Sequence, residues 1–312
     1  MKSTDSGKTW INPVSFNKES QDFLYFRNPS LAAGDAKDLY AVYERKEQAG
    51  GKSMLYFGIS LDAGLTWSCE PLKGIPYDNP SCYPVLFFSG NTLYCLYADI
   101  LYISYDGGKN WKQLKSLKKK PSDFGTLASV VKAGKDGEIY ILWAKATVEK
   151  DTTNAFSGGT VEGFIDVICS KSLNGGRTWM DTHPVNDAPL PFTYHFGKPT
   201  ERTMDALSKP NNMATVLDMA VAQDGNTLIA VWKDFRGNSE SIYFSYSQDK
   251  GKTWAANETV PVLKDEKLLR TAVTFYDANK IYIVGSSFGD DPDGRAFHYS
   301  GGKIYVVEGN IL

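Results

Sequence analysis

An all-β fold built from repeated four-stranded units is the class this sequence predicts, and three observations predict it. Five copies of one octapeptide punctuate the chain: STDSGKTW from Ser3, SLDAGLTW from Ser60, SYDGGKNW from Ser104, SLNGGRTW from Ser172 and SQDKGKTW from Ser247. Between them run short β-branched and aromatic segments bounded by Gly, Asp and Asn turns. No amphipathic helical period interrupts the series, and self-similarity of this kind marks an array of like units.

The octapeptide S-x-D-x-G-x-T-W has the chemistry of a tight turn between two strands. The carboxylates of Asp5, Asp62, Asp106 and Asp249, and the carboxamide of Asn174, can accept backbone N–H groups of the turn. The Gly that follows supplies a positive φ, and the Ser and Thr hydroxyls tie the turn ends. The Trp opens the next strand with a large apolar face. These five residues are therefore expected to be structural rather than catalytic, since a site needs few carboxylates and a repeat needs one per unit.

The remaining elements follow in order. First strands are PSLAA (29–33), PVLFF (84–88) and DMAVA (218–222). Second strands are LYAVYER (39–45), LYCLYAD (93–99), IYILWAK (139–145), LIAVWKD (228–234) and IYIVGSS (281–287). Third strands ending in the Ser of the octapeptide are SMLYFGIS (53–60), ILYIS (100–104) and SIYFSYS (241–247). Each unit thus reads strand, turn, strand, loop, strand, octapeptide turn, strand, which is the pattern of a β-propeller blade. The run 295–309 offers a further hairpin, and strands from the two termini are expected to share a blade in a single domain over 1–312.

The octapeptide resembles the Asp box, or bacterial neuraminidase repeat, of sialidases and other propellers. The resemblance implies a sialidase-like β-propeller of six blades, with five as the alternative. It also implies a secreted or cell-surface setting, although no leader-like segment opens the chain.

Composition narrows the function classes. The 312 residues carry a net charge of −2, which does not suggest a nucleic-acid binder. No apolar stretch approaches a membrane span. Cys69, Cys82, Cys95 and Cys169 form no C-x-x-C pair, and His183, His195 and His298 lie far apart, so neither a metal site nor a cofactor is expected. The cysteines read as buried thiols, although the spacing leaves a disulfide open. The basic run 112–120 reads as a solvated edge strand and turn. Asp290, Asp291 and Asp293 read as an acidic surface turn rather than a calcium loop.

Antiparallel order puts the box turns and first hairpin turns at one end of the sheets and the remaining loops at the other. The two longest connections, 145–164 and 180–211, fall at that second end, which suggests a binding face or a cap over it. The same end collects Arg27, Arg45, Asp99, Asp234, Arg236 and Arg270, beside Glu44 and Lys145. A rim of mixed sign suits an acidic or hydroxyl-rich ligand, with Arg offering a bidentate fork. It is equally the composition of inter-blade salt bridges, and Asp234 and Arg236 can pair with one another.

In the sialidase family three arginines hold the sugar carboxylate, a Tyr activated by Glu attacks, and an Asp serves as acid/base. The stretch Phe26-Arg27-Asn28-Pro29 is similar to the family's Arg-Ile-Pro motif, with Asn28 in place of Ile. At the acid/base position the loop 46–53 offers Glu47 instead of Asp. Arg236 and Arg202 are the counterparts for the other arginines. At the expected Tyr position stands Arg270, and Tyr299 is the alternative. The sequence thus points first to a propeller that binds a glycan or small acidic sugar opposite the boxes. An exo-α-sialidase, a sialidase-type glycoside hydrolase, is one alternative, and a scaffold for a protein partner is the other.

Overall fold

Strand runs with alternating or continuous apolar character pair with their sequence neighbours, and turn residues at each break reverse the chain. A computed structural model describes residues 3, 5, 7–11, 23–34, 37–47, 53–77, 84–117, 126–153, 159–196, 217–234, 236, 241–261, 268–277, 279–287 and 303–311. They fall into two compact units, Met1–Leu117 and Lys118–Leu312.

In the first unit, β1 (Phe23–Ala33), β2 (Leu39–Glu47), β3 (Ser53–Ser60) and β4 (Ser68–Pro71) form one antiparallel meander. A second meander consists of β5 (Val85–Ser89), β6 (Thr92–Tyr97), β7 (Ile100–Ser104) and β8 (Lys112–Ser116). Their facing sides bury Val42, Leu55, Phe57, Leu86, Leu93 and Cys95 in one core. The start of the basic run is β8, an edge strand as expected.

In the second unit, β9 (Thr126–Ala133), β10 (Ile139–Asp151), β11 (Gly159–Ser172) and β12 (Met180–Pro184) form a sheet that β13 (Leu190–Phe196) joins through β11. Next come β14 (Leu217–Val221), β15 (Leu228–Asp234), β16 (Ser241–Ser247) and β17 (Glu258–Thr259). Last are β18 (Leu268–Phe275), β19 (Lys280–Ser287) and β20 (Ile304–Asn310). Continuous cores run between the first and second of these sheets, around Trp232, and between the second and third, around Ile229 and Ile283. The described residues therefore hold five all-β sheets, each built on a meander, with β13 added to one of them through β11. No described helix is long and apolar enough to cross a membrane.

The four octapeptide turns from Ser60 onward lie where the repeat predicts, between third and fourth strands. In the second box, Ser60 Oγ accepts the Gly64 N–H at 2.8 Å and donates to Asp62 at 2.8 Å, while Asp62 accepts the Thr66 N–H at 2.8 Å and hydroxyl at 2.6 Å. Asn110 replaces the Thr hydroxyl with its own amide, which donates to Asp106 at 2.7 Å. In the fourth box the polarity reverses, and the Asn174 amide donates to Thr178 Oγ1 at 2.8 Å. These bonds hold Asp5, Asp62 and Asp106 at about 2, with the side chains of Thr9, Thr66 and Asn110 contributing most. For Asp249 burial pushes upward, but hydrogen bonds led by Thr253 outweigh it and the value is again about 2.

The box is also latched to its own sheet. The fourth residue of the box donates its backbone N–H to a carbonyl in the first hairpin turn: Ala63 to Lys37 at 2.8 Å, Gly175 to Gly137 at 2.9 Å and Lys250 to Asn226 at 2.9 Å. Ala63 and Lys250 take positive φ values of 59° and 58° to do so.

Three details differ from the sequence expectation. The segment 145–164 is not one long loop: β10 continues to Asp151 and β11 starts at Gly159, paired from Ile139↔Ser172 to Asp151↔Val161 with one register shift between Val148 and Lys150. Val161, Ile165 and Val167 are buried at alternate positions, which is what holds this hairpin extended. The segment 180–211 likewise supplies β13, which covers the part of the β11 edge that β12 does not reach. At the C-terminus, residues 304–310 form the third strand of the β18–β19 sheet, and the rest of the expected 295–309 hairpin lies outside the described residues.

Candidate binding site

The sheet ends opposite the boxes carry two constellations, one in each unit. In the first, Arg27 on β1 stands in register with Glu44 on β2. Asn28 takes φ 56° at a register shift between Arg27 and Ser30, so the chain bulges at this point. The Arg27 Nε donates to Glu44 at 2.5 Å and its Nη2 at 2.9 Å, and the Asn28 amide adds a third bond at 3.1 Å. The Tyr77 hydroxyl donates to the same carboxylate.

Glu44 is 1% exposed, whereas the Arg27 side chain is 42% exposed. A carboxylate this deeply buried is tolerated because several donors converge on it. The consequence for Arg27 is orientation: a side-on bidentate pair fixes the guanidinium plane while much of its surface stays accessible. Burial, and then the contact with Glu44, push the Tyr77 phenol upward. Tyr77 itself stacks on Tyr97 of the second sheet, with ring centroids 6.2 Å apart.

Arg45 follows Glu44 and so faces the other side of β2. It is 8% exposed, with its guanidinium carbon 4.4 Å from the centre of the Tyr56 ring. Asp99 is 8% exposed in the turn after β6, where it takes φ 65° and its carbonyl accepts the Leu117 N–H.

The second constellation surrounds Arg236. Asp234 ends β15 fully buried and accepts the Arg236 Nε at 2.6 Å and backbone N–H at 2.8 Å. Asp187 binds Nη1, and Asn257 accepts Nη2 at 3.1 Å. The guanidinium carbon lies 4.5 Å from the centre of the Tyr243 ring. Asn257 also ties Val185 and Asp187 to its own strand region, at 2.9 and 2.8 Å. Arg236 is therefore the hub of an ion-pair network that joins the β12–β13 connection to the β17 region.

The other candidates are placed as follows. Arg270 lies exposed on β18 at a register shift. Glu47 closes β2, and its side chain lies outside the described residues, as do Arg202, Tyr299 and the 290–294 turn. Cys69, Cys95 and Cys169 are thiols outside any disulfide. Among the described residues no group of three His, Cys, Asp or Glu is placed to hold a metal ion. Sequence reasoning missed Tyr77, Asp187 and Asn257. Each comes from an irregular stretch and reaches its arginine or carboxylate through tertiary packing, with no local spacing to announce it.

Residues 102–113 match the BNR/Asp-box repeat family. No curated protein matches the sequence. Among solved structures, the chain is similar to a protein of unknown function from Dyadobacter fermentans, with 14% identity, a TM-score of 0.54, and coverage of 92% of this chain and 84% of that one. It is also similar to the NanB sialidase of Streptococcus pneumoniae, with 12% identity and a TM-score of 0.44, over 95% of this chain and 60% of that one. A third likeness is to the catalytic domain of a Coprinopsis cinerea GH62 α-L-arabinofuranosidase, with 10% identity and a TM-score of 0.43, over 96% and 94% of the two chains. In four of the five described sheets the box sits between the third and fourth strands, which with the BNR/Asp-box match makes this an all-β chain of Asp-box repeats.

Proposed function

We propose that the protein binds a glycan, an acidic or hydroxyl-rich sugar, at the sheet ends opposite the Asp boxes. The observation that carries this reading is Arg27: a guanidinium held in one orientation by a buried carboxylate, yet 42% exposed. Pre-orientation removes part of the entropic cost of engaging a carboxylate or a pair of hydroxyls. Asn28 and Tyr77 flank it with an amide and a phenol on the same carboxylate. The test is a glycan array followed by titration calorimetry on the wild type and Arg27→Ala. Binding that disappears in the variant, with an unchanged circular dichroism spectrum, supports the proposal. An array without hits overturns it and favours a scaffold for a protein partner.

A second reading, an exo-α-sialidase, draws on the contact between the Tyr77 hydroxyl and Glu44, since glycosidases of this type use a Tyr nucleophile with a carboxylate partner. Two features weigh against it. The phenol is pushed upward, away from the ionised form that attacks. Glu44 is also engaged by Arg27 and Asn28, which makes it a poor base. Turnover of a fluorogenic sialoside that is lost in Tyr77→Phe would reverse this order.

A further inference from the structure

A cavity of about 210 Å³ opens in the first unit at the end where the box turns lie, away from Arg27. Its lining includes the rings of Tyr40 and Phe88, the carboxylate residue Asp38, and Asn91. The rings stand 5.2 Å apart between centroids, tilted by 58°. Gly34, Gly90 and Gly107, with Ala33 and Leu93, make the remaining walls. A Cβ at Gly34 would lie 3.0 Å from the Tyr40 ring, and one at Gly107 would lie 3.6 Å from the Tyr40 hydroxyl. Any side chain at either position would take space from the cavity.

The Asp38 backbone is fixed, since its carbonyl accepts the Gly34 N–H at 2.9 Å. Its carboxylate has no hydrogen-bond or ion-pair partner among the described residues. An anionic group beside two aromatic rings, in a recess narrowed by glycines, selects for positive charge on a slender apolar stem. The rings attract a cation through their quadrupoles, and the carboxylate adds direct Coulomb attraction. A sugar acid would be repelled by Asp38, so this recess differs in chemistry from the Arg27 site.

We propose that this cavity binds an alkylammonium group, of the kind carried by a peptide lysine or a free polyamine. The two sources share one chemistry, so the probes separate them: Nα-acetyl-lysine methylamide for the peptide and cadaverine for the polyamine. Nuclear magnetic resonance titration of the full chain reads the affinity, with 1-pentanol as the uncharged control. Either amine should shift Tyr40, Phe88 and Gly107 signals saturably while the alcohol does not, and the tighter of the two amines identifies the source. Asp38→Asn keeps the backbone bond and should weaken the amine about two- to fivefold, the order expected for losing one partly exposed charge contact. Phe88→Leu keeps an apolar wall and should weaken it several-fold through loss of a ring. An alcohol that binds as well as the amines would overturn the proposal. So would amines that bind Asp38→Asn as tightly as wild type, or that shift none of these signals.

Discussion

Replacing the box glycine by alanine at three equivalent positions in the first unit separates backbone strain from packing. Gly7, Gly64 and Gly108 occupy the same place in the repeat and share φ values of 86°, 86° and 88°. Alanine pays for the left-handed backbone at each, about 1–2 kcal/mol. The surroundings differ. A Cβ at Gly7 would meet Trp10 at 3.9 Å, an ordinary contact, and at Gly64 it would meet Leu39 at 3.3 Å. At Gly108 it would fall far inside contact distance of the Phe57 ring. That ring cannot swing away, because Phe57 is 3% exposed and sits edge-on to Trp111 at 5.9 Å. Overpacking there adds about 1–3 kcal/mol, for a total of about 2–5 kcal/mol. Urea unfolding of the three variants should therefore rank Gly108→Ala well below Gly64→Ala, with Gly7→Ala least affected. The double variant Gly108→Ala/Phe57→Leu should lose less than the sum of its parts, since the two sites touch. Equal losses at all three glycines, or strict additivity in the double variant, would refute the packing argument.

Glu44→Ala removes the acceptor shared by Arg27, Asn28 and Tyr77 and should cost about 3 kcal/mol of stability, the lower end of the range for a broken buried pair because Arg27 can re-solvate; chemical denaturation checks it. Acid lability should follow from the boxes. Asp5, Asp62, Asp106 and Asp249 sit at about 2 against an ordinary 3.8, so the unfolded chain takes up more protons in that window. Their stabilisation is present above 3.8 and drains away as pH falls toward 2. Thermal melts across that window should show it, and Asp106→Asn should flatten the slope, as Asn174 already does in its own box. Arg236→Ala should destabilise the second unit by about 3 kcal/mol, because Asp234 is left buried without its cation; an unshifted melt would show the network to be dispensable.

The sheets were legible in the sequence because each strand is a β-branched or aromatic run between strong turn signals, and because the box recurs at one point of four of the five described sheets. What escaped was carried by residues whose composition argues one way and whose position argues another. The tip of the β10–β11 hairpin is rich in Thr, Asn, Ser and Gly, and so reads as a loop, although Val161, Ile165 and Val167 alternate beneath it. Pro191 reads as a strand breaker, yet it sits in β13 opposite Phe164, an edge position where a missing N–H is tolerated. At the site, the pairing of Asp234 with Arg236 follows from their two-residue spacing. Asp187 and Asn257 approach across a sheet edge, and Tyr77 approaches from the stretch beyond β4, so only the folded chain shows them.

The latch between the box and its first hairpin turn, seen in three sheets, uses main-chain atoms on both sides: Ala63 with Lys37, Gly175 with Gly137, Lys250 with Asn226. Its survival therefore depends on conformation and not on any particular side chain at those six positions. One end of each of these sheets is closed independently of how far the strands run in the other direction. The β10–β11 hairpin demonstrates the freedom this gives, since it grows to Asp151 and Gly159 while its latch at Gly175 matches those of the shorter sheets. Lengthening or reshaping the far ends, where Arg27 and Arg236 lie, can proceed by insertion without reopening the turns that hold the meanders together.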